Sequence, residues 1–145
     1  MTAADDLVDE LIEQYHLALN AFMQGNPEPI KRLWFHRDDV SLTNPQGSTA
    51  RGWEQVVEAM DSAAATRRDG RFVGSETVAK YVIPGLAYVV EVEHLEAKVH
   101  GEEEITPYVL RVTMIFRPEE GVWKVVHRHA DQIATPRPAE SILDE

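Results

Sequence analysis

The chain has 145 residues, 43% of them hydrophobic and none of them cysteine, which fits one globular domain with a substantial core and excludes disulfide or thiolate chemistry. Its 25 acidic against 14 basic residues give a formal net charge of -11, a surface that repels phosphate backbones and anionic lipid, so neither nucleic acid nor membrane is expected as a partner. No apolar run is long enough to span a bilayer and the start, MTAADDLVDE, is acidic, unlike a secretory leader; a cytoplasmic location is the expectation.

Leu7, Val8, Leu11, Ile12, Tyr15, Ala18, Leu19 and Phe22 recur at three- and four-residue spacing, the pattern of an amphipathic helix, with Asp5 and Asp6 suited to its N-terminus. Gly25 and Pro27 end it, and Pro29 opens a short second helix to about Phe35. Val40 to Thr43 reads as a strand closed by the turn Asn44-Pro45-Gln46-Gly47, and a third helix runs from near Gly52 to about Arg67. Beyond Gly70 the period changes to two. Strands are expected over Arg71 to Val82, Leu86 to His100, Tyr108 to Arg117 and Val122 to Ile133, with turns at Pro84-Gly85, Gly101 to Pro107 and Pro118 to Gly121. The class is α+β: three N-terminal helices covering one face of a curved antiparallel sheet. The domain spans residues 1–133, and 134–145, with two prolines and little apolar content, forms a tail.

The last strand holds an ambiguity. In WKVVHRHAD, strict alternation puts Trp123, Val125, His127, His129 and Asp131 on one face and Lys124, Val126, Arg128 and Ala130 on the other. Trp123 and Val125 look inward, which would carry both histidines with them. His127, His129 and Asp131 could then chelate a metal, but no further ligand motif supports this, and no metal or other cofactor is expected. If Pro118 to Gly121 is a four-residue loop, Arg117 pairs with Val122 and Arg111 lies directly across from Arg128. Such a like-charge pair needs a negative partner, either Glu91 or Glu93 on the next strand or an anionic ligand.

The order helix, QYHLALNAF, short helix, DDVSLTNPQG, RGWEQVVEAM, sheet and GVWKVVHRHAD resembles the NTF2-like superfamily, in particular its SnoaL-like and ketosteroid-isomerase-like members, over roughly residues 5 to 133. The resemblance implies a cone-shaped NTF2-like fold with a cavity between helices and sheet, and a homodimer formed through the sheet. In the isomerases an Asp base moves a proton while a Tyr and a protonated Asp hold the oxyanion. Tyr15 matches that Tyr. Asn44 falls where the basic Asp stands and Thr113 where the second acid stands, and an amide cannot abstract a proton, which argues against steroid isomerisation by that route. Counted from Gly121, the family's cavity-lining positions fall on Val126, Arg128 and Ala130, which turns both histidines outward; here the resemblance is taken as the stronger guide.

Two functions follow. One is an isomerase, cyclase or dehydratase for a small apolar carbonyl compound, with Tyr15 and Asn44 polarising oxygen, Arg111 or Arg128 stabilising negative charge, and His129 as acid–base. Thr113, Trp34 and Met60 complete the expected ligand contacts. The other is a non-catalytic small-molecule-binding or oligomeric association module. The ending GVWKVVHRHAD is also similar to that of the association domain of calmodulin-dependent kinases, and such a module needs no base.

Overall fold

The computed structural model describes residues 2–45, 47, 49–99 and 101–133; the expected tail, residues 134–145, lies outside them. In chain order the elements are α1 (Ala3–Met23), α2 (Glu28–Lys31), β1 (Ser41–Thr43), β2 (Thr49–Arg51), α3 (Trp53–Ala65), β3 (Arg67–Ile83), β4 (Leu86–Val99), β5 (Thr106–Glu119) and β6 (Val122–Ile133).

Helix α1 starts at a reciprocal cap. The Thr2 hydroxyl accepts from the Asp5 N–H at 3.1 Å, while the Asp5 carboxylate accepts from the Thr2 N–H at 3.0 Å. Its apolar stripe, Val8, Leu11, Tyr15, Ala18, Leu19 and Met23, is buried against the sheet. Helix α3 buries Val56, Met60 and Ala64, and ends at Thr66, so β3 begins directly at Arg67, four residues before the expected start.

The six strands run in the order β2-β1-β6-β5-β4-β3, giving the expected α+β architecture of helices on a curved, open sheet. Two strand details differ from the sequence reading. The short strand β2 had no clear pattern of its own, and β1 joins β6 in parallel, Leu42 opposite Arg128, so the sheet is mixed. Register shifts along β3 bend the edge of the sheet and help the concave face wrap α1.

The β5–β6 hairpin corrects the register argument. Its turn is the two residues Glu120 and Gly121, at φ 52 and 81, the left-handed pair that a tight hairpin requires. Glu119 therefore faces Val122 and Arg117 faces Lys124. Farther up, Phe116 faces Val125 but Ile115 faces His127, so Val126 is an extra residue bulged from the ladder. Beyond it Arg128 is opposite Met114, and Arg111 is opposite Asp131. The two arginines do not face each other. The bulge also resolves the ambiguity in WKVVHRHAD. Trp123 and Val125 point into the core, the phase then shifts by one, and Arg128 and Ala130 point inward after it. Among the described residues no helix is long and apolar enough to cross a membrane.

Candidate functional site

A pocket of about 830 Å³ lies between the concave face of the sheet and the helices. Apolar side chains from α1, α3, β1, β4 and β5 make most of its wall, among them Leu19, Met60, Leu42, Leu95 and Leu110. The lining carboxylates Glu58 and Glu102 are exposed, which places them at the mouth.

Tyr15 lies on the buried stripe of α1 and contributes to the pocket wall. The Trp34 indole N–H donates to its hydroxyl at 3.3 Å, so the Tyr15 hydrogen remains to be donated elsewhere. Burial pushes this phenol above its ordinary range, against the opposing Arg128 charge, and it stays a neutral donor. Trp34 is fully buried behind Tyr15 and does not line the pocket; its contact is with the tyrosine rather than with a ligand.

Arg128 reaches the same pocket from β6. Its guanidinium sits 5.2 Å from the centre of the Tyr15 ring and forks onto Glu93, Nη1 to Oε2 at 2.9 Å and Nη2 to Oε1 at 2.7 Å. Nη1 also approaches the Met114 sulfur at 3.5 Å, which leaves the Nε–H and one Nη2 hydrogen without an acceptor among the described residues. Burial works against the Arg128 charge, but Glu93, helped by Tyr15 and Glu91, outweighs it and holds the guanidinium above its ordinary value. Glu93, on β4, is the carboxylate that pairs with Arg128.

Behind Arg128, the buried Glu91 accepts from or shares a proton with His16 Nε2, at 2.8 Å to Oε2, and the His16 ring stacks on Phe72 at 4.5 Å. The ligand atoms of His16, Glu91 and Glu93 lie within 4.8 Å of one another, the one group at metal spacing among the described residues. Both Glu93 oxygens are already taken by Arg128, so a metal ion would have to displace a guanidinium.

The other expected residues separate into two sets. Asn44 and Met60 line the pocket with Tyr15 and Arg128. Arg111, Thr113 and His129 do not. They alternate out of phase with the buried Val112, Met114, Arg128 and Ala130, so they stand on the outer face of the sheet. His129 is exposed and hydrogen-bonds Asp131 at 2.9 Å, while His127 pairs through Nδ1 with the Ser41 hydroxyl at 2.8 Å. His129 cannot act as acid–base on a molecule in the pocket. Val126, the bulged residue, is buried but also outside the lining.

Two lining residues escaped the sequence reading. Arg67, the first residue of β3, donates through Nε to the Tyr108 hydroxyl at 3.3 Å and through Nη1 to the carbonyl oxygen of Ala63 at 3.3 Å and to the Thr66 hydroxyl. Tyr108 in turn donates to the Met23 sulfur at 2.9 Å, and burial pushes its phenol above the ordinary range. No periodicity singles out Arg67, because it falls at the junction between a helix and a strand.

The fold and pocket define helices over a concave sheet, with Tyr15, Arg128, Arg67 and Tyr108 among the polar side chains set into a mainly apolar wall. By its match to the SnoaL-like domain family over residues 8–135, the chain belongs to that family. No protein of curated function matches it in sequence. Among solved structures it is similar to a ketosteroid isomerase-like protein from Erwinia carotovora atroseptica, with TM-score 0.77 and 16% identity over 93% of this chain and 100% of the other. It is similar to an NTF2-like family protein from Streptomyces avermitilis, provisionally named a dehydratase, with TM-score 0.74 and 19% identity over 90% and 96%. A type 2 hexachlorocyclohexane dehydrochlorinase gives TM-score 0.73 and 14% identity over 94% and 90%. At these identities the likeness is one of fold.

Proposed function

We propose that the pocket binds a small, mainly apolar molecule and holds one of its oxygens between the Tyr15 hydroxyl and the Arg128 guanidinium. The adjacency of these two donors in the pocket wall, with Leu19, Leu42, Leu95 and Leu110 as apolar lining, carries the reading. Glu93 fixes Arg128 in place and neutralises most of its charge, so a carbonyl oxygen suits the site as well as a carboxylate does. Titration calorimetry with acetylbiphenyl, a neutral aromatic ketone, tests it. Micromolar binding that weakens about fivefold or more in Tyr15→Phe is expected, the worth of one hydrogen bond. Absence of binding, or equal affinity of the variant, overturns it.

Catalysis by elimination or isomerisation is the second reading, favoured by the names of two similar structures. Tyr15 and Arg128 would then polarise a carbonyl. Its weakness is the base: His129 is outside, and the lining carboxylates Glu58 and Glu102 are at the mouth. Turnover of a β-hydroxy ketone or an enone by pure protein, reduced in Tyr15→Phe, would move the assignment to an enzyme. A homodimer through the outer face of the sheet belongs to the same proposal; Tyr81 and Tyr88 stack there at 5.9 Å and remain exposed, and light scattering of the pure protein tests it.

A further inference from the structure

The proposed ligand site accounts for Arg128, whose charge Glu93 balances, but not for Arg67. In a chain with 25 acidic residues, Arg67 lines the pocket and has no carboxylate within ion-pair distance among the described residues. Its partners there are neutral: a phenol, a main-chain carbonyl and a hydroxyl. Its Nη2 makes no hydrogen bond to a described residue. A half-buried guanidinium whose partners are all neutral has no counter-charge beside it and has donors to spare, the arrangement that favours a bound anion.

The position of Arg67 relative to Arg128 follows from the ladder. Arg128 grips β4 at Glu93, Tyr108 is opposite Leu95, and Arg67 is opposite Val99. The three therefore stand at successive levels along β4, and from Glu93 to Val99 the strand covers about 20 Å before curvature and side-chain reach shorten the gap. Tyr108 lies between the two charges and feels both. Leu95 and Leu110 supply apolar wall along this part of the sheet.

We infer that Arg67, steadied by Tyr108, is a second anchor in the pocket and takes a carboxylate. The ligand class is then an apolar keto or hydroxy acid, with its neutral oxygen at Tyr15 and Arg128 and its carboxylate at Arg67. This rests on the ligand site proposed above.

The test uses three matched probes: fenbufen (a biphenyl γ-keto acid), its methyl ester and acetylbiphenyl. Wild-type protein is expected to bind the acid about tenfold more tightly than the ester, the gain of a charge-assisted contact. In Arg67→Gln that acid-to-ester ratio falls to near one, and in Arg67→Lys, which keeps the charge, most of it returns. Binding of the ester reports that each variant still folds. An acid that binds no better than its ester in wild type, or a ratio unchanged in Arg67→Gln, overturns the second anchor. If acetylbiphenyl and the ester bind with dependence on Tyr15 while the acid gains nothing, the second anchor falls and the pocket assignment stands. If none of the three binds, both fall.

Discussion

Arg128 and Glu93 meet through two hydrogen bonds of 2.9 and 2.7 Å, with the arginine side chain 6% exposed and the glutamate fully buried. A fork of this kind fixes a guanidinium plane as no single contact can, and here the plane lies beside Tyr15. The pair is a positioning device with a stability consequence. Glu93→Gln leaves a buried cation without its counter-charge and is expected to cost about 3–5 kcal/mol in urea unfolding. Replacing both members together, Glu93→Leu with Arg128→Met, recovers most of that loss, because an apolar pair needs no compensation. A single substitution costing under about 1 kcal/mol would show that Arg128 keeps its charge by other means.

Tyr15 and His129 give opposite expectations. Tyr15→Phe removes a donor from the pocket wall while keeping the ring, so the ligand affinity drops while stability changes by only about 1 kcal/mol, the worth of the Trp34 hydrogen bond. His129→Ala trims an exposed side chain whose hydrogen bond is to Asp131, and affinity for acetylbiphenyl is expected to stay within twofold of wild type. Calorimetry on the two variants separates them. A large loss in His129→Ala would place that imidazole in the pocket after all.

The helices, the strand order of the long meander and the family resemblance were legible because amphipathic periods and turn residues are local signals. Val126 was not. A bulge adds one residue to one strand, and nothing in VWKVVHRHA marks which residue it is, yet that single slip decides whether Arg128 or His129 enters the pocket. The register of Arg111 failed for a related reason: a four-residue loop and a two-residue turn share the same sequence, Pro118 to Gly121, and only the strand length distinguishes them. Glu91 and Glu93 show a further limit. In VVEVEHLEAK the valines alternate with acids, and the acids share their face with Ala87, Val89, Leu95 and Ala97, all buried. The charge on Arg128 and the imidazole of His16, both distant in sequence, are what allow that face to turn inward.

Acidification tests the environment of His127. Burial, and secondarily the charge of His129, hold this imidazole below its ordinary 6.5. The unfolded chain then takes up a proton at higher pH than the folded one, so the His127 contribution is complete above about pH 6.5 and is lost as pH falls toward the lower folded value. In His127→Asn, whose side-chain amide can still hydrogen-bond the Ser41 hydroxyl, that loss disappears. Melting temperatures at pH 7.5 and 5.5 should therefore differ less for the variant than for wild type. Equal differences would mean that His127 titrates as a solvated group.

Gly70 tests the junction where β3 passes the end of α1 and β4. A Cβ at this position would lie 2.4 Å from the Glu96 carbonyl oxygen, 2.6 Å from the Ala97 Cβ and 2.8 Å from the Met23 carbonyl oxygen. Two of these are main-chain atoms, one from β4 and one from the end of α1, and neither can rotate away as a long side chain can. Gly70→Ala must therefore push α1 off the sheet at Met23, a residue that lines the pocket and receives the Tyr108 hydrogen bond. A cost of at least about 1–3 kcal/mol is expected, together with weaker binding of the ketone probe. Gly74, on the same strand, has no atom within 4 Å of its would-be Cβ. Gly74→Ala lowers the entropy of the unfolded chain without a clash and is expected to be neutral or to stabilise by about 0.5 kcal/mol. Urea unfolding of the two variants side by side decides whether close approach of α1 to the sheet, rather than glycine in a strand as such, is what Gly70 permits.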